Sequence, residues 1–452
     1  MGVIITAIAV FFIFLVSERL LLQYARKRFA LVIHVNGTRG KSTVTRMIHA
    51  LLRGLDFEAF GKTTGSAARM LLPDGAEKPV QRFGPANVRE QRNMMLRFAF
   101  TGSNKKKALV FECNAIREEL QDVSAKWLKP DISVITNVRE DHVLELGGPL
   151  EAAESFARAV PQNSVLVTSD RQYLDVWEAA AKKKNLHLLF VDPAEAGGAG
   201  SGGNEIAGFT ANRAAGVDAA GHEAVSSSTA ACDSAAGSRA SFTAGASHGT
   251  AVTTGAAADS AAATAGAAAD FPENIACALG VADRLGITRD FALKSISEYK
   301  HDAGAFRIFT RNTGGAPVYF ADARAANDIE SSGRLFSAAL KAVKGEKNAK
   351  RILLLVSRGD RPDRTRRFMD YIFKLNESSS FDKYLFLGHI PVFPRRKLKE
   401  KGINYAILHN INDLEAELGG TEPVYIFAAG NYGGKGALIT EWLENNFNGG
   451  HE

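Results

Sequence analysis

Cysteine is scarce. The 452-residue chain holds three, Cys113, Cys232 and Cys277, far apart and without CxxC or Cys/His ligand spacing. That excludes a disulfide-stapled scaffold and a zinc finger, and reads most simply as reduced thiols facing the cytosol. A strong charge imbalance is also missing. The 55 basic side chains exceed the 49 acidic ones by a small margin spread over a long chain, so no nucleic-acid partner is expected. No Ser/His/Asp triad signal is visible, which disfavours hydrolysis. What remains is a chain 46% hydrophobic and long enough for two or three domains, each with its own core.

No positive charge precedes the apolar run GVIITAIAVFFIFLV at residues 2 to 16, so it does not read as a cleaved signal peptide. The charges Arg19, Arg26, Lys27 and Arg28 follow it. The run is slightly short for a spanning helix, and snorkelling by Arg19 extends it. Residues 1–30 are therefore expected to be a single N-terminal membrane anchor with the catalytic body in the cytoplasm, as the positive-inside rule requires. The alternative is a buried helix of a soluble domain.

Short β-rich runs then alternate with helix-length segments: LVIHV (31–35), ALVFEC (108–113), ISVITNV (132–138) and SVLVTSD (164–170). A second series follows at 351–357, 383–388, 404–409 and 423–430. The pattern predicts an α/β fold with mostly parallel sheets, a central domain over 31–311 and a smaller C-terminal domain over 312–452. Residues 196–269 break the central domain. There 56 of 74 residues are Ala, Gly, Ser or Thr, with no Leu, Lys or Pro. Such a stretch cannot build a core, and a flexible insertion is expected.

The strongest chemical signal is His34 to Thr43, HVNGTRGKST, between a β-run and the helical VTRMIHALLRGL. Gly37 and Gly40 let backbone N–H groups converge on a phosphate at a helix N-terminus. Lys41 reaches the β/γ oxygens, and a hydroxyl of Ser42 or Thr43 suits Mg²⁺. The full Walker spacing is not met, because Val35 stands where its first glycine belongs; the match is to the shorter GTxGK[ST] loop.

That loop resembles the ATP-dependent Mur ligase superfamily, which includes folylpolyglutamate synthases. Thr136-Asn137-Val138-Arg139-Glu140-Asp141-His142 resembles its TNxxxDH segment, and Glu112 stands where the family places a magnesium-binding glutamate. The resemblance implies ATP and Mg²⁺ as cofactors, nucleotide contacts from Asn36 through Thr43, and Ser42, Glu112 and His142 as metal ligands, with Lys41, Glu112 and His142 catalytic. Phe271 to Ile287 resembles the helix whose Asn, here Asn274, contacts adenine. Phe306-Arg307 and Asp322 to Asn327 resemble the ATP-clamping arginine and the segment leading into the last domain. By that likeness Asp322 binds ribose, while Arg307 and Arg324 touch phosphates. Within the superfamily the chain is most similar to the poly-γ-glutamate synthase family, through NGTRGKSTVTR, Gly61 to Gly65, Gly84-Pro85, Glu90-Gln91, Arg358 to Arg364 and Gly430-Asn431. One departure stands out. Many Mur ligases carry a carbamylated lysine downstream of the DH pair, and no lysine occurs between His142 and Lys182.

A polyanionic substrate needs cations along its path. Lys62, Arg69, Arg82, Arg89, Arg92 and Arg97 lie between the loop and the Glu112 strand, a candidate groove for the polymer. Arg358 and Arg361 follow a strand end in the last domain and are candidates for orienting glutamate, with Arg324 as a further substrate contact. The expected reaction is phosphorylation of the chain's terminal carboxylate by ATP, then attack by the amine of glutamate. The resemblance also implies membrane-embedded synthase or export partners and a homo-oligomer. Two alternatives stay open: a Mur-type ligase with another acid and amino acid, and a membrane-tethered P-loop ATPase switch.

Overall fold

The computed structural model describes residues 2–64, 68–82, 87–102, 105–139, 143–196, 271–302, 305–312, 316–326, 328–342, 349–360, 362–378, 380–419 and 421–447. Of the expected site residues, His142 and Arg361 lie outside these, as do Asp141, Cys232 and the 196–269 stretch beyond its first residue.

The chain opens with one long helix, α1 (Gly2–Lys27), apolar on every side through residue 16 and long enough to cross a membrane. An eight-stranded sheet follows, built from β1 (Phe29–Asn36), β2 (Glu58–Lys62), β3 (Arg69–Leu71), β4 (Glu77–Pro79), β5 (Lys107–Glu112), β6 (Ile132–Ile135), β7 (Val165–Thr168) and β8 (His187–Phe190). Its order is β4-β3-β2-β5-β1-β6-β7-β8, parallel except for the β2–β3–β4 meander at one edge. The central strands are buried except for Ala30 near the start of β1, as continuous apolar runs covered on both faces must be. On one face α2 (Lys41–Gly54) and the helix Pro272–Arg284 seal a core around Ile33, Val35, Met47, Val110 and Cys277. On the other, α3 (Arg89–Ala99) and the end of α1 close over Val32, Phe98, Leu109 and Phe111.

A second sheet contains β9 (Arg307–Asn312), β10 (Pro317–Asp322), β11 (Lys350–Val356), β12 (Lys383–Leu387), β13 (Tyr405–Leu408) and β14 (Val424–Gly430), in the order β13-β12-β11-β14-β10-β9. Only β9 runs antiparallel, and it is the strand that opens this sheet. The predicted α/β class with mostly parallel sheets is therefore the observed one.

Register fixes the site's level. Val35 pairs with Glu112 across β1 and β5, and Asn36 with Ile135 across β1 and β6. The glycine loop, Glu112 and Thr136 consequently emerge side by side from one carboxyl edge, where ligands of parallel sheets bind.

Candidate active site

That edge opens into a cleft of about 690 Å³, lined by Asn36 to Thr43, Thr64, Glu112 to Ile116, Asn274 and, from the second sheet's side, Arg358, Arg364 and Asn431.

The loop is held from beneath. The Asn36 side-chain oxygen accepts from Gly37 N–H at 2.9 Å, the Asn137 carbonyl from Thr38 N–H at 2.8 Å, and the Asn137 side chain from Arg39 N–H at 3.0 Å. Three amides expected to cradle phosphate are thus already bonded inside the protein. The anion-binding capacity concentrates on the first turn of α2, whose N–H groups have no intrahelical acceptor. Both glycines are sterically required. Gly37 has φ +122°, and a Cβ there would meet Thr136 Oγ1 at 2.3 Å; Gly40 has φ +78°, and its Cβ would meet Asn274 Oδ1 at 2.1 Å. Asn274, buried at the start of its helix, therefore sits against the loop at the point where α2 begins.

Lys41 folds back on this loop, its ammonium donating to the carbonyls of Gly37 at 2.6 Å and Thr38 at 3.0 Å. Next to it, Ser42 Oγ donates to Glu112 Oε2 at 2.7 Å, and the same oxygen accepts from Thr64 N–H at 2.6 Å. Glu112 is 3% exposed. A hydroxyl and a carboxylate this close, at the head of a helix, form the hard-oxygen donor pair that Mg²⁺ prefers. Among the described residues no group of three His, Cys, Asp or Glu side chains could hold a metal by itself. Mg²⁺ beside a nucleotide needs only one or two protein ligands, since phosphates and water complete its shell, so the donors present fit it.

Of the six cations expected along a polymer groove, only Arg82 lines the cleft. It grips Glu90 through two bonds, at 2.8 and 3.0 Å. Lys62 is fully buried behind that pair. Its Nζ lies 3.2 Å from Glu90 Oε2, without the alignment of a hydrogen bond. Burial pushes the Lys62 pKa down, and the Glu90 carboxylate partly restores it. Arg69 lies on β3, between β4 and β2, and Arg89 is exposed at the start of α3; neither lines the cleft. Arg92 pairs with Glu18 of α1, and Arg97 reaches Met70 Sδ at 3.8 Å.

The second sheet departs further from expectation. Asp322 and Arg324 are both buried and bind each other, Nε to Oδ1 at 2.7 Å and Nη2 to Oδ2 at 2.6 Å. Arg324 also bonds the Gly436 carbonyl and Thr440 Oγ1 and lies over the Tyr432 ring. Neither residue of the pair lines the cleft, because each charge is neutralised inside the domain instead. Arg307 lies half-buried on β9 outside the lining, although its neighbour Phe306 belongs to it. Arg358 does line the cleft, paired with Asp360 at 2.6 and 2.9 Å.

Ion pairs join the two sheets' sides across this space: Arg39 with Asp328 at 3.0 Å, Arg139 with Glu330, and Arg334 with Glu273 at 2.8 Å. Arg334 also lies 4.6 Å over the Phe271 ring. Sequence reading missed Arg334 and Asp328, because nothing in the amphipathic helix Ile329–Ala342 or the residue before it marks one polar position above another.

Two family descriptions match this chain. "Mur ligase middle domain" spans residues 35–205, and "Poly-gamma-glutamate synthase CapB C-terminal domain" spans 308–446. PGA synthase CapB of Bacillus subtilis (strain 168) is 28% identical over 386 residues, 84% of this chain and 80% of that protein. Among solved structures, MurF from Acinetobacter baumannii superposes with a TM-score of 0.53 at 16% identity, covering 94% of this chain and 80% of that one. The bifunctional folylpolyglutamate synthase/dihydrofolate synthase of Yersinia pestis, complexed with AMPPNP and a Mn ion, gives 0.55 at 11% identity, covering 94% and 93%.

Proposed function

We propose that the chain is an ATP-dependent ligase of the Mur ligase family that extends poly-γ-glutamate by amide formation, a reading supported by its likeness to the Mur ligase middle domain and to the poly-γ-glutamate synthase C-terminal domain. The observation that carries this reading is the contact between Ser42 and Glu112 at the head of α2, inside a cleft faced by both sheets.

ATP binds with its phosphates against the first turn of α2, and Lys41 exchanges its two loop carbonyls for phosphate oxygens. Ser42 and Glu112 would hold Mg²⁺, with His142 added by resemblance, and the ion would supply positive charge that offsets the phosphates. Asn274, wedged on Gly40, borders the nucleotide, while Arg307 is assigned to it by resemblance alone. The terminal carboxylate of the acceptor chain approaches past Arg82 and takes the γ-phosphoryl group, giving an acyl phosphate and ADP. The amine of glutamate, oriented by Arg358 and Arg361, attacks that carbonyl; the amide forms and phosphate leaves. The pairs Arg39–Asp328, Arg139–Glu330 and Arg334–Glu273 hold the two sides together over the intermediate and limit its loss to water. Lys62 acts from behind, setting Glu90 and so the pose of Arg82. The body is held at the membrane by α1, beside membrane-embedded export subunits and as a homo-oligomer.

The test is trapping. Full-length protein with ATP, Mg²⁺, a γ-glutamyl acceptor and hydroxylamine is expected to form hydroxamate only when the acceptor is present. ATP turnover that ignores the acceptor and yields no hydroxamate would contradict the ligase reading and favour an ATPase switch.

A further inference from the structure

The direction of α1 relative to the first sheet reveals which face of the body meets the membrane. Glu18 of α1 pairs with Arg92 near the start of α3. That start lies at the sheet's carboxyl edge, since Gln91 Nε2 donates to the Glu112 carbonyl at 3.0 Å and Glu90 faces Lys62. Further along, Tyr24 stacks on Phe100 with ring centres 6.0 Å apart, and Arg26 bonds the Lys129 carbonyl at 2.9 Å and Asp131 at 2.7 Å. Those contacts mark the amino edge, where β6 begins and where Lys107, at the start of β5, donates to the Ala99 carbonyl. From Glu18 to Lys27, therefore, α1 descends from the carboxyl edge to the amino edge alongside α3.

Traced backwards, the same continuous helix leaves the body on the carboxyl-edge side. Residues 2–17 are all exposed. At 1.5 Å per residue they project about 24 Å beyond Glu18. An apolar surface on every side of a helix suits hydrocarbon rather than a one-sided protein groove, and the bilayer is the occupant its length and composition fit. Leu22 and Ala25, both buried, with the Glu18 and Arg26 pairs, fix the helix to the body and make its angle a property of the fold.

Resting on the membrane reading above, we propose that the catalytic body docks with the carboxyl edge of its first sheet towards the bilayer, so that the acceptor side of the cleft opens at the headgroup layer and the elongating polyanion is released towards the membrane. The opposite edge, around Lys105, faces the cytoplasm.

The test uses full-length protein in phosphatidylcholine/phosphatidylglycerol vesicles with nitroxide-labelled headgroups, in a Cys232→Ser background in which Cys113 and Cys277 are buried. A fluorophore is placed at Leu120→Cys, exposed in the first turn of the helix that follows β5, or at Lys105→Cys. Quenching several-fold stronger at 120 than at 105 is expected, and adding Glu18→Ala is expected to narrow the difference. Equal or reversed quenching in vesicle-bound protein overturns the docking face while leaving the anchor intact. Protein that fails to float with vesicles overturns the anchor itself, whatever the quenching.

Discussion

The two carboxyl edges of this molecule hold similar residues to different ends. At the first edge, backbone and neutral polar groups support the loop from below, and the charged groups, Lys41 and Glu112, remain at the cleft. At the second, charges pair with one another, Asp322 with Arg324 inside the fold and Arg358 with Asp360 at the cleft. A motif's position along a chain thus indicates an edge, whereas the pairing around it decides whether a charge faces ligand or fold.

The first edge loses most at Lys41. Lys41→Ala is expected to abolish amide formation, a loss of at least about 10²-fold, because it removes the ammonium that offsets charge on the transferred phosphoryl group. Unchanged activity by product assay would reject the phosphate-loop assignment. At the second edge, Arg324→Ala is expected to act on folding, leaving Asp322 buried without its partner at a cost of about 3–5 kcal/mol. Urea unfolding should show that loss, and a raised KM for ATP with unchanged stability would instead return Arg324 to the site. Gly40→Ala forces a Cβ into Asn274 at positive φ, with an expected cost of about 1–3 kcal/mol and weaker nucleotide binding, read by calorimetry.

Two buried imidazoles make the first domain sensitive to acid. Burial holds His34, at the end of β1, down to about 4, and His49, on α2, likewise to about 4. Both are lowered from 6.5, so the unfolded chain takes up these protons first. Stability is therefore expected to be complete above pH 6.5 and to fall towards pH 4, by up to about 3 kcal/mol per imidazole. Urea midpoints at pH 7 and 5 measure it, and a flat profile would contradict the buried neutral imidazoles. The smallest effect is expected from Glu273→Gln, which weakens a partly exposed pair by about 1 kcal/mol or less and lets more acyl phosphate reach water. The ratio of ADP released to amide formed reads it.

Much of this was legible because the physics was local. The buried parallel strands announce themselves as unbroken apolar runs, and the glycine loop needs its residues in one order. The meander was not. Glu58–Lys62 and Arg69–Leu71 are short, half-polar strands with no alternation long enough to separate from a loop. Nor did the sequence betray that Lys62 is buried or that Asp322 binds Arg324, since a charged residue reads the same whether it meets solvent, ligand or a partner. The bonds from the loop amides to Asn137 depend on register between strands far apart in sequence.

The most direct measurement is the anomalous scattering of Mn²⁺ in crystals grown with a non-hydrolysable ATP analogue. A peak is expected within coordinating distance of Ser42 Oγ and Glu112, with the triphosphate over the first turn of α2 and Lys41 turned away from the Gly37 carbonyl. A cation remote from both residues, or a triphosphate lying elsewhere with Lys41 still on its own loop, would contradict it.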